Sequence, residues 1–234
     1  MLEVKHLCAD IDRMPIITDI SLTVGDGEIV SLIGANGAGK TTLVRALTKL
    51  NPASSGTILW NGEDITQYTA DKLVNMGMIH VPEGRALFSR MTVKENLEIG
   101  AYCHHARAKA AENLAFVYEL FPELKEMGAK AAGDLSGGQQ QMVAIGRGIM
   151  ADPKLLILDE PSIGLSPLMT QKVLKAVQAI RDKGVSVLIS EQNVMAVLGM
   201  ANRAYVMQQG KIILSGTAEE LKNNDAVRKA YMGI

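Results

Sequence analysis

The chain has 234 residues, of which 47% are hydrophobic, 21% charged and 4% aromatic, with a formal net charge of −1. At about 150 residues per domain, this length suits one unit with a substantial insertion, or two small lobes on a shared core. The balance excludes a disordered or collagen-like chain and gives no overall basic field for a nucleic-acid backbone, so no nucleic-acid partner is expected.

Cys8 and Cys103 are far apart and form no CxxC pair. A disulfide framework or cysteine zinc site is therefore not expected, and a reducing compartment is. No run approaches the ~18 apolar residues of a membrane span. The opening Met-Leu-Glu-Val-Lys has no basic stretch leading into an apolar one, so no signal peptide is expected. Any membrane role must then come through a partner.

In chain order, Leu2–Leu7, Ile20–Val24 and Gly56–Trp60 read as strands, with a tight turn at Asn61-Gly62. Glu28–Ile33 is more uniformly apolar, as a strand covered on both faces should be. It runs into a glycine-rich loop and then a helix over Thr41–Leu50, which Asn51-Pro52 should end. From about Val93 to Gly148 strand character disappears, and Glu112–Leu120 and Gln139–Met150 have helical patterns. Leu155–Leu158 is a short buried strand, followed by a helix near Pro167–Lys183 and a strand at Val185–Ser190. Ala204–Met207 and Lys211–Leu214 form a hairpin through Gln209-Gly210. Thr217 with Glu220 makes a capping box for the last helix, and Lys222–Lys229 reads as a mixed-charge terminal helix. The pattern is an α/β core interrupted by a mostly helical insertion.

Gly34-Ala35-Asn36-Gly37-Ala38-Gly39-Lys40-Thr41 fits GxxxxGK[ST] in full and lies between a predicted strand and a predicted helix. Its glycines let successive backbone N–H groups converge on one anion at a helix N-terminus. In that setting Lys40 reaches the β- and γ-phosphates and the Thr41 hydroxyl, next to Thr42, ligates Mg²⁺. Leu155-Leu-Ile-Leu-Asp159-Glu160 is an apolar strand ending in two acids at the ligand-binding edge of an α/β sheet. There Asp159 suits the metal, and Glu160 suits a general base on the attacking water. Ser136-Gly137-Gly138-Gln139 opens a third element, a helix start with a hydroxyl and exposed N–H donors.

Together these motifs resemble the nucleotide-binding subunit of an ABC transporter: Walker A at 34–41, the LSGGQ signature at 135–139 and Walker B at 155–160. The resemblance covers essentially the whole chain. It implies ATP and Mg²⁺ as cofactors and a P-loop NTPase (RecA-like) core with an N-terminal antiparallel β subdomain. It also implies an inserted α-helical subdomain. Residues 1–90 and 151–234 would form the core and about 91–150 the signature subdomain. Two subunits would pack head to tail, so that Ser136, Gly137, Gly138 and Gln139 act on the partner's nucleotide. Pro161–Ser166 would be the D-loop facing that partner.

Three positions depart from the commonest family pattern. Glu83 stands where the Q-loop glutamine falls; its carboxylate offers Mg²⁺ an oxygen but cannot donate as an amide does. Gln192 stands for the switch histidine, able to donate to a γ-phosphate oxygen but unable to titrate near neutral pH. Ile11 falls where an aromatic often stacks on adenine. Val81–Arg85 with Phe88–Val93, Tyr118–Leu124 and Ser190–Asn193 resemble the LivF-type ATPases of branched-chain amino-acid importers, which share Glu83 and Gln192. That resemblance implies a second, LivG-like ATPase or a second copy, two membrane permeases and, indirectly, a solute-binding protein. The chain would then lie peripherally on the cytoplasmic face of the membrane. The stretch 85–95 would meet a permease through Arg85, Leu87, Phe88, Arg90 and Met91.

Two other readings stand beside this one. A soluble ABC ATPase acting on chromosomes carries a long coiled coil between Walker A and the signature, for which the 101 positions from Gly34 to Leu135 are too few, and ribosome types usually carry two cassettes where this sequence has one. A nucleotide-dependent interaction subunit with little hydrolysis is suggested by Glu83 and Gln192. His104-His105 lacks a nearby third ligand and reads as an exposed polar pair. The thirteen methionines read as gap fillers in the core.

Overall fold

A computed structural model describes residues 1–229. Strands β1 (Leu2–Ile11) and β2 (Met14–Val24) pair antiparallel, Leu2 opposite Val24 and Ile11 opposite Met14. Leu2, Val4, Leu7 and Ala9 are buried, and the register slips between Val4 and Leu7 where His6 takes a φ of 49°. Asp19 does the same on β2, with a φ of 56°, and its carboxylate meets His6 Nδ1 at 2.6 Å. These bulges break the two-residue period. Both strands therefore run well beyond the segments expected from alternation.

β3 (Ile29–Ile33) is buried throughout and leads into α1 (Lys40–Leu47). That helix stops three residues before the expected Leu50. The Thr48 hydroxyl turns back to the Val44 carbonyl (2.9 Å) and Lys49 adopts a φ of 60°, so the chain leaves the helix before it reaches Asn51-Pro52. β4 (Ser55–Trp60) and β5 (Glu63–Asp64) form a hairpin with positive φ at both Asn61 and Gly62, and the antiparallel sheet runs β2-β1-β4-β5.

α2 (Ala70–Met76) and β6 (Met78–Val81) follow, neither expected from the sequence. The helical insertion comprises α3 (Val93–Glu98), α4 (His104–Ala108), α5 (Ala110–Leu120), α6 (Pro122–Glu126) and α7 (Gly137–Met150). Then come β7 (Leu155–Asp159), α8 (Pro167–Asp182), β8 (Ser186–Glu191) and α9 (Val194–Leu198). β9 (Arg203–Gln208) and β10 (Lys211–Thr217) form the expected hairpin, with Gln209 and Gly210 both at positive φ.

The Thr217–Glu220 capping box opens α10 (Ala218–Lys222), but no single helix spans 222–229. Asn224 instead caps a new short helix, α11 (Asp225–Val227), with its side chain accepting from the N–H groups of Ala226 and Val227.

The second sheet has the order β10-β9-β3-β8-β7-β6, parallel except for β10. Its strands present alternate residues to two apolar clusters, one on each face. Ile29 and Ile33 of β3 join one cluster, with Leu156, Leu158, Val187, Ile189 and α7; Val30 and Leu32 join the other, with β1, β2 and α1. α3, α5 and α6 pack on α7, where Gly146 permits close approach: a Cβ there would lie 2.8 Å from Leu97 Cδ2. A methyl group there would press on the Leu97 and Val117 side chains (2.8 and 3.0 Å), which would have to shift to admit it.

Candidate active site

β3, β7 and β8 are parallel and end at one edge, with Ile33 beside Glu191 and Asp159 beside Ser190. The phosphate loop leaves that edge. Gly34 has no room for a side chain, since a Cβ would stand 2.6 Å from the Met207 carbonyl oxygen. Gly39 caps α1 in the left-handed conformation (φ 99°) that glycine adopts without penalty. Residues 36–42, with Ile16, Glu83, Glu160 and Ile163, line a cavity of about 380 Å³.

Lys40 is buried at its wall. Its Nζ contacts Glu160 Oε1 at 2.8 Å and donates to the carbonyls of Gly34 (2.5 Å) and Ala35 (3.1 Å). The Thr41 hydroxyl donates to Asp159 Oδ1 at 3.3 Å, so two oxygen donors of the kind a hard divalent ion takes stand together. Three charged side chains are thus packed at one sheet edge. Glu160 is itself in the left-handed region (φ 48°), a conformation that costs a non-glycine residue about 1–3 kcal/mol and that its surroundings must hold.

Two residues that sequence reasoning passed over do much of that holding. Ser190, fully buried, donates to Asp159 Oδ1 (2.6 Å) and accepts from the Glu160 N–H (3.0 Å), so one hydroxyl orients both acids. Glu191, also buried, accepts from the Ser162 N–H (3.0 Å) and hydroxyl (2.8 Å). Burial pushes the Glu191 carboxyl above its ordinary value and the charge of Glu160 adds to this, while the Ser162 bonds oppose it. The sequence marks both only as part of the Ser190–Asn193 stretch that resembles LivF-type ATPases, with no role for either side chain. Nothing in their spacing marks a polar side chain that turns back under a neighbouring strand.

The remaining expected residues are dispersed. Glu83 lines the cavity with Lys40 and Thr41. Ile11, expected as the apolar cover for adenine, lies half-exposed at the tip of the β1–β2 hairpin and is not among the lining residues; Ile16, on β2, takes that place. The start of β2 passes over the loop, where a Cβ on Gly39 would lie 3.0 Å from Ile17 Cγ2 and 3.5 Å from the Ile16 carbonyl oxygen. Gln192 is exposed and lines a different cavity of about 720 Å³, which shares only Glu160 and Ile163 with the first.

Ser136 caps α7 through a reciprocal box with Gln139, at 3.4 and 2.9 Å, and Ser136–Gln139 lie outside the cavity around Lys40. Arg85, expected in an exposed patch, turns inward to the Gln140 and Gln141 side-chain oxygens (both 3.3 Å). Phe88 beside it remains exposed. The loop carrying Phe88 is tied to the buried Asn96, which accepts from the Phe88 N–H and donates to the Phe88, Met91 and Thr92 carbonyls.

The sequence model of the ABC transporter family matches residues 17–163, more than half of the chain. The chain belongs to the ABC transporter family. This ABC ATPase is 43% identical, over 94% of both chains, to the high-affinity branched-chain amino acid transport ATP-binding protein BraG of Pseudomonas aeruginosa. It is 34% identical, over its full length and 97% of the relative, to the lipopolysaccharide export system ATP-binding protein LptB of Haemophilus influenzae. A nucleotide-free ATP-binding cassette from an ABC transporter superposes with a TM-score of 0.85 at 28% identity, covering 100% of this chain and 99% of the other. The fold is therefore that of an ABC ATPase cassette, and the chain is an ATP-binding, ATP-hydrolysing subunit.

Proposed function

We propose that this ABC ATPase drives import of branched-chain or related amino acids through partner permeases. The observation that carries the chemical part is the buried contact of Lys40 with Glu160, beside Thr41 and Asp159. In this reading Lys40 exchanges Glu160 and the loop carbonyls for the β- and γ-phosphates of ATP. The freed Glu160 carboxylate then takes a proton from the attacking water. Thr41, Asp159 and Glu83 hold Mg²⁺, which when bound neutralises the developing phosphate charge. Ile16 supplies the apolar cover first assigned to Ile11.

Ser136–Gln139 lie outside the Lys40 cavity, which agrees with a second subunit completing each nucleotide site: the signature serves the partner's ATP. Gln192, one residue past β8 and lining a cavity together with Glu160, is the donor to a γ-phosphate oxygen. That subunit is a LivG-like ATPase or a second copy. The pair sits peripherally on the cytoplasmic face of the membrane beneath two permeases, fed by a solute-binding protein. In support, no helix among the described residues is long and apolar enough to cross a membrane. Leu87, Phe88, Arg90 and Met91 form the permease contact.

The cargo assignment rests on the likeness to BraG. The likeness to LptB favours a second reading, in which the same ATPase powers lipid export. Turnover and leucine uptake in vesicles holding the assembled complex separate the two. Glu160→Gln is expected to lower ATP turnover about 10²–10⁴-fold, as loss of a general base should. Unchanged turnover would remove Glu160 from that role, and wild-type ATPase without leucine uptake would move the cargo to the second reading.

A further inference from the structure

Glu191 lies on β8, one residue before Gln192, and neither the Walker motifs nor the signature includes it. Its carboxylate is buried although it carries no lysine or arginine partner in the structure's described residues. An ion in that position must be held by hydrogen-bond donors. The donors are the Ser162 N–H at 3.0 Å and the Ser162 hydroxyl at 2.8 Å. Both belong to one residue, and that residue sits two positions after Glu160.

Ser162 is also the pivot of the loop after β7. The Ile163 N–H donates to the Glu160 carbonyl (3.2 Å) and the Leu165 N–H to the Ser162 carbonyl (3.1 Å), so two successive turns share Ser162. Ile163 projects from the first turn into both cavities. Glu160 enters the loop from a left-handed conformation that its own chain does not favour. Fixing Ser162 from β8 therefore fixes the downstream side of Glu160, as Ser190 fixes its backbone N–H.

We propose that Glu191 is a positioning residue for hydrolysis: it grips Ser162 through both backbone and hydroxyl, and so sets the direction in which Glu160 presents its carboxylate. The proposal rests on Glu160 acting as the base. It also gives β8 a mechanical part, since the strand that ends in Gln192 holds the loop that follows Glu160. Movement at Gln192 is then transmitted to the catalytic acid through one bidentate contact.

The test is the ATP turnover of the assembled complex, resolved into kcat and KM. Glu191→Ala removes both acceptors and is expected to lower kcat about tenfold to a hundredfold, the scale of a small misplacement of a catalytic group. KM for ATP should stay within about twofold, because the Lys40 loop is untouched. Glu191→Gln keeps an oxygen for the Ser162 N–H and offers an amide to its hydroxyl, so it should restore most of kcat. Glu191→Ala with Ser162→Ala should be no worse than Glu191→Ala alone, since the hydroxyl bond lost in Ser162→Ala is already gone without the carboxylate. Ser162→Ala removes only the hydroxyl half of the contact, so if Glu191→Ala does not fold it should lower kcat by a smaller factor, again with KM unchanged, and wild-type kcat there would overturn the proposal. Wild-type kcat in Glu191→Ala, an equal fall in Glu191→Ala and Glu191→Gln, or losses that multiply in the double variant would each overturn the proposal. With Glu160→Gln measured in parallel, unchanged turnover in that variant defeats the base assignment and this proposal together. Its loss beside an active Glu191→Ala defeats the positioning role alone.

Discussion

Deleting the Lys40 ammonium should destabilise the protein even without nucleotide. Lys40 and Glu160 are both nearly inaccessible, at 4% and 7% side-chain exposure, with 2.8 Å between them. Lys40→Met leaves the carboxylate beside an apolar stem, and breaking a buried pair from one side costs about 3–5 kcal/mol. Glu160 borders two cavities that admit water, which places the cost near the lower end, at about 3 kcal/mol. For a chain of this size that corresponds to a fall in Tm of roughly 6–12 °C. Glu160→Gln should cost less, about 1 kcal/mol, because Lys40 keeps the Gly34 and Ala35 carbonyls and the amide oxygen still accepts. In Lys40→Met with Glu160→Gln no buried charge is stranded, so the double variant should melt above Lys40→Met alone. Calorimetry of the nucleotide-free chain measures all three. A Lys40→Met protein that melts with wild type, or a double variant that falls by the sum of the singles, would refute the reasoning.

Asn96→Leu removes four hydrogen bonds from the 88–92 loop and should cost about 2–4 kcal/mol through the backbone groups left unpaired; hydrogen exchange at Phe88 should accelerate at least tenfold, and an unchanged rate would count against it. Gly34→Ala drives a methyl group toward the Met207 carbonyl and should abolish ATP binding measured by titration calorimetry; binding at wild-type affinity would show that the loop can yield. Glu191→Gln should raise the melting temperature at neutral pH. Because burial lifts the native carboxyl above its ordinary 4.5, ionisation weakens the fold progressively as pH rises from that value through the raised one. The gain in Glu191→Gln should therefore grow across that window and vanish in acid, and a gain that persists below pH 4.5 would contradict the assignment.

Elements governed by local chemistry were legible from the residues themselves. The glycine loop, the Leu155–Asp159 strand, the Gln209-Gly210 hairpin and the Thr217–Glu220 box each combine a residue type with a short spacing, and each forms where that chemistry directs. Longer-range geometry was not legible. The irregular registers at His6 and Asp19 break the alternation, so 8–11 and 14–19 did not read as strand, and Ile16, which lines the cavity, lies in that unread part of β2. Lys49 ends α1 in a left-handed conformation that lysine does not advertise. α2 and β6 are too short to show a period, and β6 gains its burial from β7 and α7. Ser190 and Glu191 were missed for a related reason: their partners lie about thirty residues away, on β7 and the loop beyond it.

The parallel sheet keeps its two apolar layers on opposite sides, and this makes it a bulkhead. Among the described residues, Phe121, Leu124 and Val143 belong to one layer and Leu7, Ile20 and Leu43 to the other, with the strands of the sheet between them. Side-chain changes made on the two sides should accumulate independently. A lobe transplanted from a relative in place of 91–150 would have to match the Ile79, Val81, Leu156 and Leu158 face of the sheet, the Arg85 side chain and the Met169 and Lys172 side of α8. The compartment around the phosphate loop lies on the other face of the sheet and would be left as it stands, whereas the start of α7 at Ser136–Gln139 would travel with the lobe.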